Sequence, residues 1–414
     1  MLKYLIPILF STLAFAQVDT FEGDHLRLLR KYKITPSKEQ AYCYSQNEEV
    51  RGYQVDKLQR MASLTKIFTT LQASELLDLH KKYTTTFYIS DDELFIKGGL
   101  DPYFEEDKIL LLFKDLNRLG YKKFKRVTFD DQFWFYDLGL STYEPITPAK
   151  TLARLKFYLN PRNRASVRSA WNTVLNFAEE ENVFIDKTFP ELTATTVALA
   201  PSGMVHAPFA REFNHTSMPL HRIIKSMNVM SKNHVAQNIF LEASKIKSMK
   251  QLLIEKKIPE GTFLVYNGSG LPMETPAPRK DNLSSCRTVL QVMKLLENSL
   301  EKHKLNLSDV MALTGGKDLG SFRGRFNRYP EATDTIFAKT GTLKHSSSLA
   351  GIILSSQKIP FAVLNHTPNV ASARSFQDEF VGTMLQSFEP LSPFPYLKIS
   401  IFPWDGSDFL TENL

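Results

Sequence analysis

Apolar residues along this chain follow two periodicities. In MASLTKIFTT, residues 61–70, and the residue after it, Leu64, Ile67, Phe68 and Leu71 recur at helical spacing, which predicts a helix with one apolar stripe. Ser63, Lys66 and Thr70 fall on an adjoining stripe, one turn apart. After Tyr83 the texture changes. TTTFYIS and ELFIKGG read as short strands, KILLLFKDLNRLG as a helix stopped by Gly120, and KRVTFDDQF as another strand. Residues 150–183 read as helical and charged with a break at Pro161, and TATTVALAPSG as a return strand and loop. From Met218 the helical period resumes through Leu220, Ile223, Ile224, Met227 and Met230, and again through Val235, Ile239 and Phe240, with SKNH between the two runs. DTIFAKTGTL, SLAGIILSS and IPFAVLNH then predict an antiparallel meander. The helical run ARSFQDEFVGTMLQSF follows, and the Pro-rich tail SPFPYLKISIFPW is expected to wrap the surface.

The change of texture at both ends marks 83–214 as an inserted α+β module, so that 17–82 and 215–414 form one discontinuous unit. A chain of 414 residues, 43% of them apolar, can bury a core of that extent in two or three domains. The first residues, MLKYLIPILFSTLAFAQ, carry one basic residue, an apolar run from Leu5 to Phe15 and small residues at Ala14 and Ala16. That pattern predicts a signal peptide over 1–16, cleaved after Ala16. As a membrane anchor the run falls short of the roughly 20 residues a spanning helix needs. The mature protein is expected to be exported and free of a stable membrane span. Loss of Lys3 leaves a formal charge of +6 in place of +7. Without a Lys/Arg tract or basic-aromatic alternation, that excess does not argue for nucleic acid. The two cysteines, Cys43 and Cys286, are too few for a disulfide framework. Separately buried thiols are the expectation, and a pairing the alternative.

Ser-x-x-Lys occurs four times, at Ser63/Lys66, Ser244/Lys247, Ser299/Lys302 and Ser355/Lys358. Only the first opens an apolar helix. It is followed by Ser231-Lys232-Asn233 in a turn between helices and by the single Lys339-Thr340-Gly341 in a strand. Ser-x-x-Lys, Ser-x-Asn and Lys-Thr-Gly, in that order, are the signature set of penicillin-recognising serine enzymes. The other Ser-x-Asn matches, Ser45-Gln46-Asn47 and Ser226-Met227-Asn228, precede Ser63 or lie inside a helix. No His-Glu-x-x-His or Cys/His cluster suggests a metal, and no cofactor is expected. Asp130 and Asp131, adjacent on a strand, point to opposite faces and read as a polar strand end.

With these motifs, and with GGLDP at 98–102, VTFDDQFW at 127–134, NGSGL at 267–271, TGGKDLGSFRGRF at 314–326 and KTGTLKHSSSLAGIIL, the chain resembles the class C low-molecular-mass penicillin-binding proteins, the D-alanyl-D-alanine carboxypeptidase/endopeptidase family S13. The resemblance spans most of the mature chain. It implies an α+β fold of the penicillin-binding-protein/β-lactamase type, an antiparallel sheet flanked by helices. The family usually inserts two modules between the first and second motifs, whereas the interval from Lys66 to Ser231 leaves room for about one.

The chemistry accounts for the residue types. Ser63 is a weak nucleophile until a base takes its proton, and Lys66 serves if burial and the charge of Lys339 keep it neutral. Ser231 is expected to relay a proton from Lys66 to the leaving amine while Asn233 binds the substrate backbone. Lys339 and Thr340 are expected to hold the terminal carboxylate, and Gly341 to let the substrate strand lie close to the protein strand. The family resemblance implies an oxyanion hole from the backbone N–H groups of Ser63 and Thr342. The expected function is an exported, periplasmic serine DD-peptidase acting on peptidoglycan peptide stems, with β-lactams as covalent inhibitors. The alternatives are a β-lactamase or esterase on the same scaffold, or a catalytically silent wall-binding protein.

Overall fold

The computed structural model describes residues 20–37, 39–136, 146–201, 209–274, 278–315, 318, 320–388, 394, 398–404 and 407–412. The expected signal segment at 1–16 lies outside them, as do most residues of the Pro-rich run 391–397. The predicted meander forms as Ile336–Leu343, Ser346–Leu354 and Lys358–His366, joined antiparallel. It is the centre of a six-stranded sheet in the order Ala312–Leu313, Ile336–Leu343, Ser346–Leu354, Lys358–His366, Gln40–Gln46, Glu49–Tyr53.

Both faces of this sheet are covered. All of Ser346–Leu354 is buried, and the two-residue period divides its side chains between two cores. Ala350, Ile352, Ala362, Leu364 and Cys43 join one core. Leu349, Ile353, Phe361, Val363, Tyr42 and Tyr44 join the other, with the helices Glu22–Lys31 and Val370–Ser387. The same parity sends Lys339 and Gly341, with Phe337, toward the first core and its helices.

The helix beginning near Ser63 departs from its predicted single stripe. Thr65–Leu76 is buried at every position from Thr65 to Ser74, enclosed by the helices Cys286–Lys302, Asn233–Ser244 and Leu220–Met230. Its polar side chains find internal partners, as burial requires. Thr69 Oγ1 donates to the Gly268 carbonyl at 2.8 Å, and Asn228 Nδ2 to Thr70 Oγ1 at 3.0 Å.

Cys43 and Cys286 form a disulfide, Cα–Cα 5.9 Å apart. This corrects the expectation of separate thiols. Cys43 faces the first core from a central strand, and Cys286 opens the helix packed on that face, a juxtaposition that spacing alone does not reveal.

A second sheet runs Thr411–Glu412, Arg211–Thr216, Thr84–Ser90, Glu93–Lys97, Lys123–Phe129, Thr193–Leu199, with its last two junctions parallel. The helices Glu106–Arg118, Pro148–Tyr158 and Arg164–Glu180 contribute to its core. The C-terminal residues return here: Thr411 pairs with Asn214, and Phe402, Phe409 and Leu410 enter this core. Asp130 Oδ1 accepts from the backbone N–H groups of Gly98, Gln132 and Phe133 at 2.9–3.1 Å, so it closes a turn.

Candidate active site

Ser63 lies in the tight turn Ala62–Leu64 that leads into Thr65–Leu76. Ala62 takes a left-handed backbone, φ 49°, a conformation that costs a non-glycine residue about 1 kcal/mol. Gly270, φ +83°, packs so closely on it that a Cβ there would lie 1.9 Å from the Ala62 carbonyl oxygen. The nucleophile turn is thereby fixed from behind by the loop 267–271.

One turn on, the Lys66 ammonium is fully buried and has three neighbours: Ser63 Oγ at 3.1 Å, Asn233 Oδ1 at 2.9 Å and the Ser269 carbonyl at 2.9 Å. Burial first, then the positive charge of Lys339, hold its pKa well below the ordinary lysine value. A neutral amine has two N–H groups and one lone pair. The Asn233 and Ser269 oxygens only accept, so they take both N–H groups and leave the lone pair to face the Ser63 hydroxyl.

Ser231 ends the helix Leu220–Met230 in a left-handed conformation, φ 58°, ψ 37°, and Asn233 starts the next helix. Lys339 Nζ donates to Ser231 Oγ at 3.1 Å and to the Thr340 carbonyl at 2.9 Å. Burial lowers the Lys339 pKa to about 7. Ser63, Lys66, Ser231, Asn233 and Lys339 thus converge on one cleft, although Ser231 contacts Lys339 and it is Asn233 that contacts Lys66. With the Asn233 oxygen engaged by Lys66, its amide N–H groups have no partner among the described residues.

Gly341 is also constrained from within the fold. A Cβ at 341 would meet Ser348 Oγ at 2.2 Å, the Met61 carbonyl at 2.6 Å and the Ser63 nitrogen at 3.0 Å. Close approach of this strand to the nucleophile turn by itself excludes a side chain. Thr340 and Thr342 have the opposite parity to Lys339. Thr342 is exposed, and its Oγ1 accepts from Arg374 at 3.0 Å. Ala312–Leu313 pairs only with Ala338 and Phe337. Among the described residues no strand flanks Lys339–Leu343 on that side, so its edge opens onto the cleft.

Two contributors escape sequence reading. The NGSGL loop supplies the Ser269 carbonyl. Asn267 Oδ1 holds the loop by accepting from Ser269 and Gly270 N–H at 3.2 and 2.8 Å. Lys232, the middle residue of the second motif, makes a buried ion pair with Glu105 that no local pattern announces. Among the described residues there is no cluster of His, Cys, Asp and Glu suited to a metal ion, and no helix long and apolar enough to cross a membrane.

The chain resembles several solved structures in fold. The predatory endopeptidase Bd3459 from Bdellovibrio bacteriovorus, solved in complex with the immunity protein Bd3460, superposes with a TM-score of 0.77 at 22% identity, over 90% of this chain and 99% of that one. Bd0816, a predatory endopeptidase of the same organism, gives 0.75 at 23% identity over 90% and 99%. Penicillin-binding protein 4 from Haemophilus influenzae gives 0.57 at 16% identity over 87% and 99%. No curated protein matches by sequence. The family model for D-Ala-D-Ala carboxypeptidase 3 matches residues 42–143 and 205–384. The chain therefore belongs to the D-Ala-D-Ala carboxypeptidase 3 (S13) family of serine peptidases.

Proposed function

We propose that this protein is an exported DD-peptidase that cleaves D-Ala-containing peptide bonds of peptidoglycan through an acyl-enzyme on Ser63. The observation that carries the reading is the environment of Lys66, a buried amine whose two N–H groups are taken by Asn233 and Ser269 while it faces Ser63 Oγ at 3.1 Å. In the first step Lys66 takes the Ser63 proton and Oγ attacks the D-Ala carbonyl carbon. The oxyanion is held by the backbone N–H groups of Ser63 and Thr342. The C–N bond then breaks, and the leaving amine receives the proton through Ser231. Water, deprotonated by the same lysine, hydrolyses the ester and regenerates Ser63. Asn233 orients the substrate amide. Lys339 and Thr340, with Gly341 closing the strand against the turn, anchor the terminal carboxylate.

The discontinuous catalytic unit, 17–82 and 215–414 less the C-terminal residues that join the insert's sheet and core, then carries the chemistry, and the 83–214 insert packs against it. The disulfide supports an oxidising compartment such as the periplasm, because such bonds persist there and are rare in the cytosol. Sensitivity to β-lactams is part of the proposal, and a solved neighbour, Bd3459, was obtained acylated by penicillin G. The test is incubation of the mature protein with a fluorescent penicillin. A stable adduct mapping to Ser63, and absent in Ser63→Ala, is expected. A folded protein that takes no label would overturn the reading, and an adduct that vanishes within seconds would favour a β-lactamase.

A further inference from the structure

The turn Ser231-Lys232-Asn233-His234 divides its side chains by parity. Ser231 meets Lys339 and Asn233 meets Lys66, inside the cleft. Lys232 and His234 turn the other way, Lys232 onto the segment that leads into the insert helix and His234 onto Tyr136. The Lys232 ammonium forms an ion pair with Glu105, at side-chain exposures of only 8% and 3%, and lies 4.5 Å from the centre of the Tyr103 ring. The His234 ring packs 4.7 Å from that of Tyr136. Residues 103–105 and 133–136 form the seam between lobes: Tyr103 and Tyr136 enter the catalytic core, whereas Phe104, Phe133 and Phe135 enter the insert core.

The ion pair belongs to a larger buried cluster. Lys108 Nζ donates to Asp101 Oδ2 at 2.6 Å, and Tyr103 O–H to Asp107 Oδ2 at 3.4 Å. Among the described residues Asp101, Glu105 and Asp107 thus face Lys108 and Lys232, three acids against two bases. Burial outweighs the opposing charge of Lys232 and raises Glu105 to about 7. Of these groups only Lys232 lies on the turn that carries Ser231 and Asn233. The turn needs such a hold, because Ser231 is a non-glycine residue in the left-handed region.

We infer that Glu105 is a positioning residue for the active site: through its buried ion pair with Lys232 it fixes the strained turn that aims Ser231 at Lys339 and Asn233 at Lys66, tying the geometry of the cleft to the seat of the insert. This rests on the roles proposed above for Ser231 and Asn233. It gives the insert a part in catalysis that requires no contact with substrate.

The test compares acylation by a fluorescent penicillin, and thermal melting, in wild type, Glu105→Gln, Lys232→Met, the double variant, and Asp101→Asn. Asp101→Asn breaks an ion pair of the same cluster that does not touch the turn. Expected are at least tenfold slower acylation in folded Glu105→Gln and in folded Lys232→Met, a double variant no slower than the worse single one, and Asp101→Asn within threefold of wild type. If either single variant leaves a lone buried charge and fails to fold, the double variant, with both charges removed, decides: tenfold slowing is expected. Acylation within threefold of wild type in the folded variants, additive losses, or an equal loss in Asp101→Asn would overturn the inference. Wild-type labelling that depends on Ser63 shows that the reading of the site stands independently, and failure of wild type to label overturns both.

Discussion

Replacing Gly341 by alanine tests how closely the strand must approach the nucleophile turn. The glycine is not in a left-handed conformation, so the effect comes from contact alone. The added methyl would sit 2.6 Å from the Met61 carbonyl oxygen, and ordinary contact begins at about 3.4 Å, so strand and turn must part by about 0.8 Å (3.4 less 2.6). Neither neighbour yields cheaply. Met61 O already accepts from Leu64 N–H at 3.1 Å and from Ser348 Oγ at 2.7 Å. Ser348, 2.2 Å from the new methyl, must give up that bond to move aside. On the far side the strand is held by eight paired residues, Ile336 to Leu343. Parting by this amount takes Thr342 N–H beyond hydrogen-bond reach of an oxyanion still held by Ser63 N–H. Losing one such donor costs about 3 kcal/mol, or roughly 100-fold in acylation rate. Overpacking should cost about 1–3 kcal/mol of stability. The assay is stopped-flow acylation by a fluorescent penicillin with melting measured alongside. A Gly341→Ala protein that melts as wild type does and acylates within threefold of its rate would refute the reasoning.

The pH profile of kcat/KM on a carboxylate-terminated peptide should be bell-shaped: activity rises as Lys66 deprotonates, at a pH far below the usual lysine range, and falls as Lys339 loses its charge near pH 7. A substrate amidated at that carboxylate should lack the alkaline fall, and persistence of the fall would remove Lys339 from the anchor. Both amines take up protons on unfolding; Lys339 weakens the fold fully below about pH 7, and urea midpoints should gain as pH climbs from there toward 10.5, with Lys66 acting in the same direction. Asn233→Asp places a carboxylate beside Lys66 and should move the acid limb of acylation upward by roughly 1–3 pH units; an unmoved limb would break the link between these residues. Replacing both cysteines by alanine removes a cross-link spanning 243 residues and should lower unfolding free energy by ~5 kcal/mol on the chain-entropy model. A loss under about 1 kcal/mol in urea titrations would contradict that model here.

The candidate constellation was legible because each motif sits on an element whose own pattern is strong. Ser63 precedes an apolar helix, Ser231 and Asn233 punctuate two helices, and Lys339 lies in an unmistakable strand. What remained hidden depends on side chains meeting across long intervals. A backbone oxygen such as Ser269 O carries no residue-type signal, and the glycines around it advertise only a turn. Cys43 and Cys286 could be paired only once the strand's facing was fixed, since a shift of one residue would turn Cys43 toward the other core. Lys232 looked like a spacer between two functional residues because its partner, Glu105, belongs to a different lobe. For Gly341 the crowding against the nucleophile turn was hidden, because it arises from a turn 280 positions earlier in the chain, at Met61.

The half-open strand Lys339–Leu343 leaves a row of main-chain groups facing the cleft. A ligand that completes that row must be extended, and it is read by its backbone before its side chains. On the proposed function the sheet would act as a gauge of chain conformation, tolerant of varied side chains provided the peptide can lie straight along its rim.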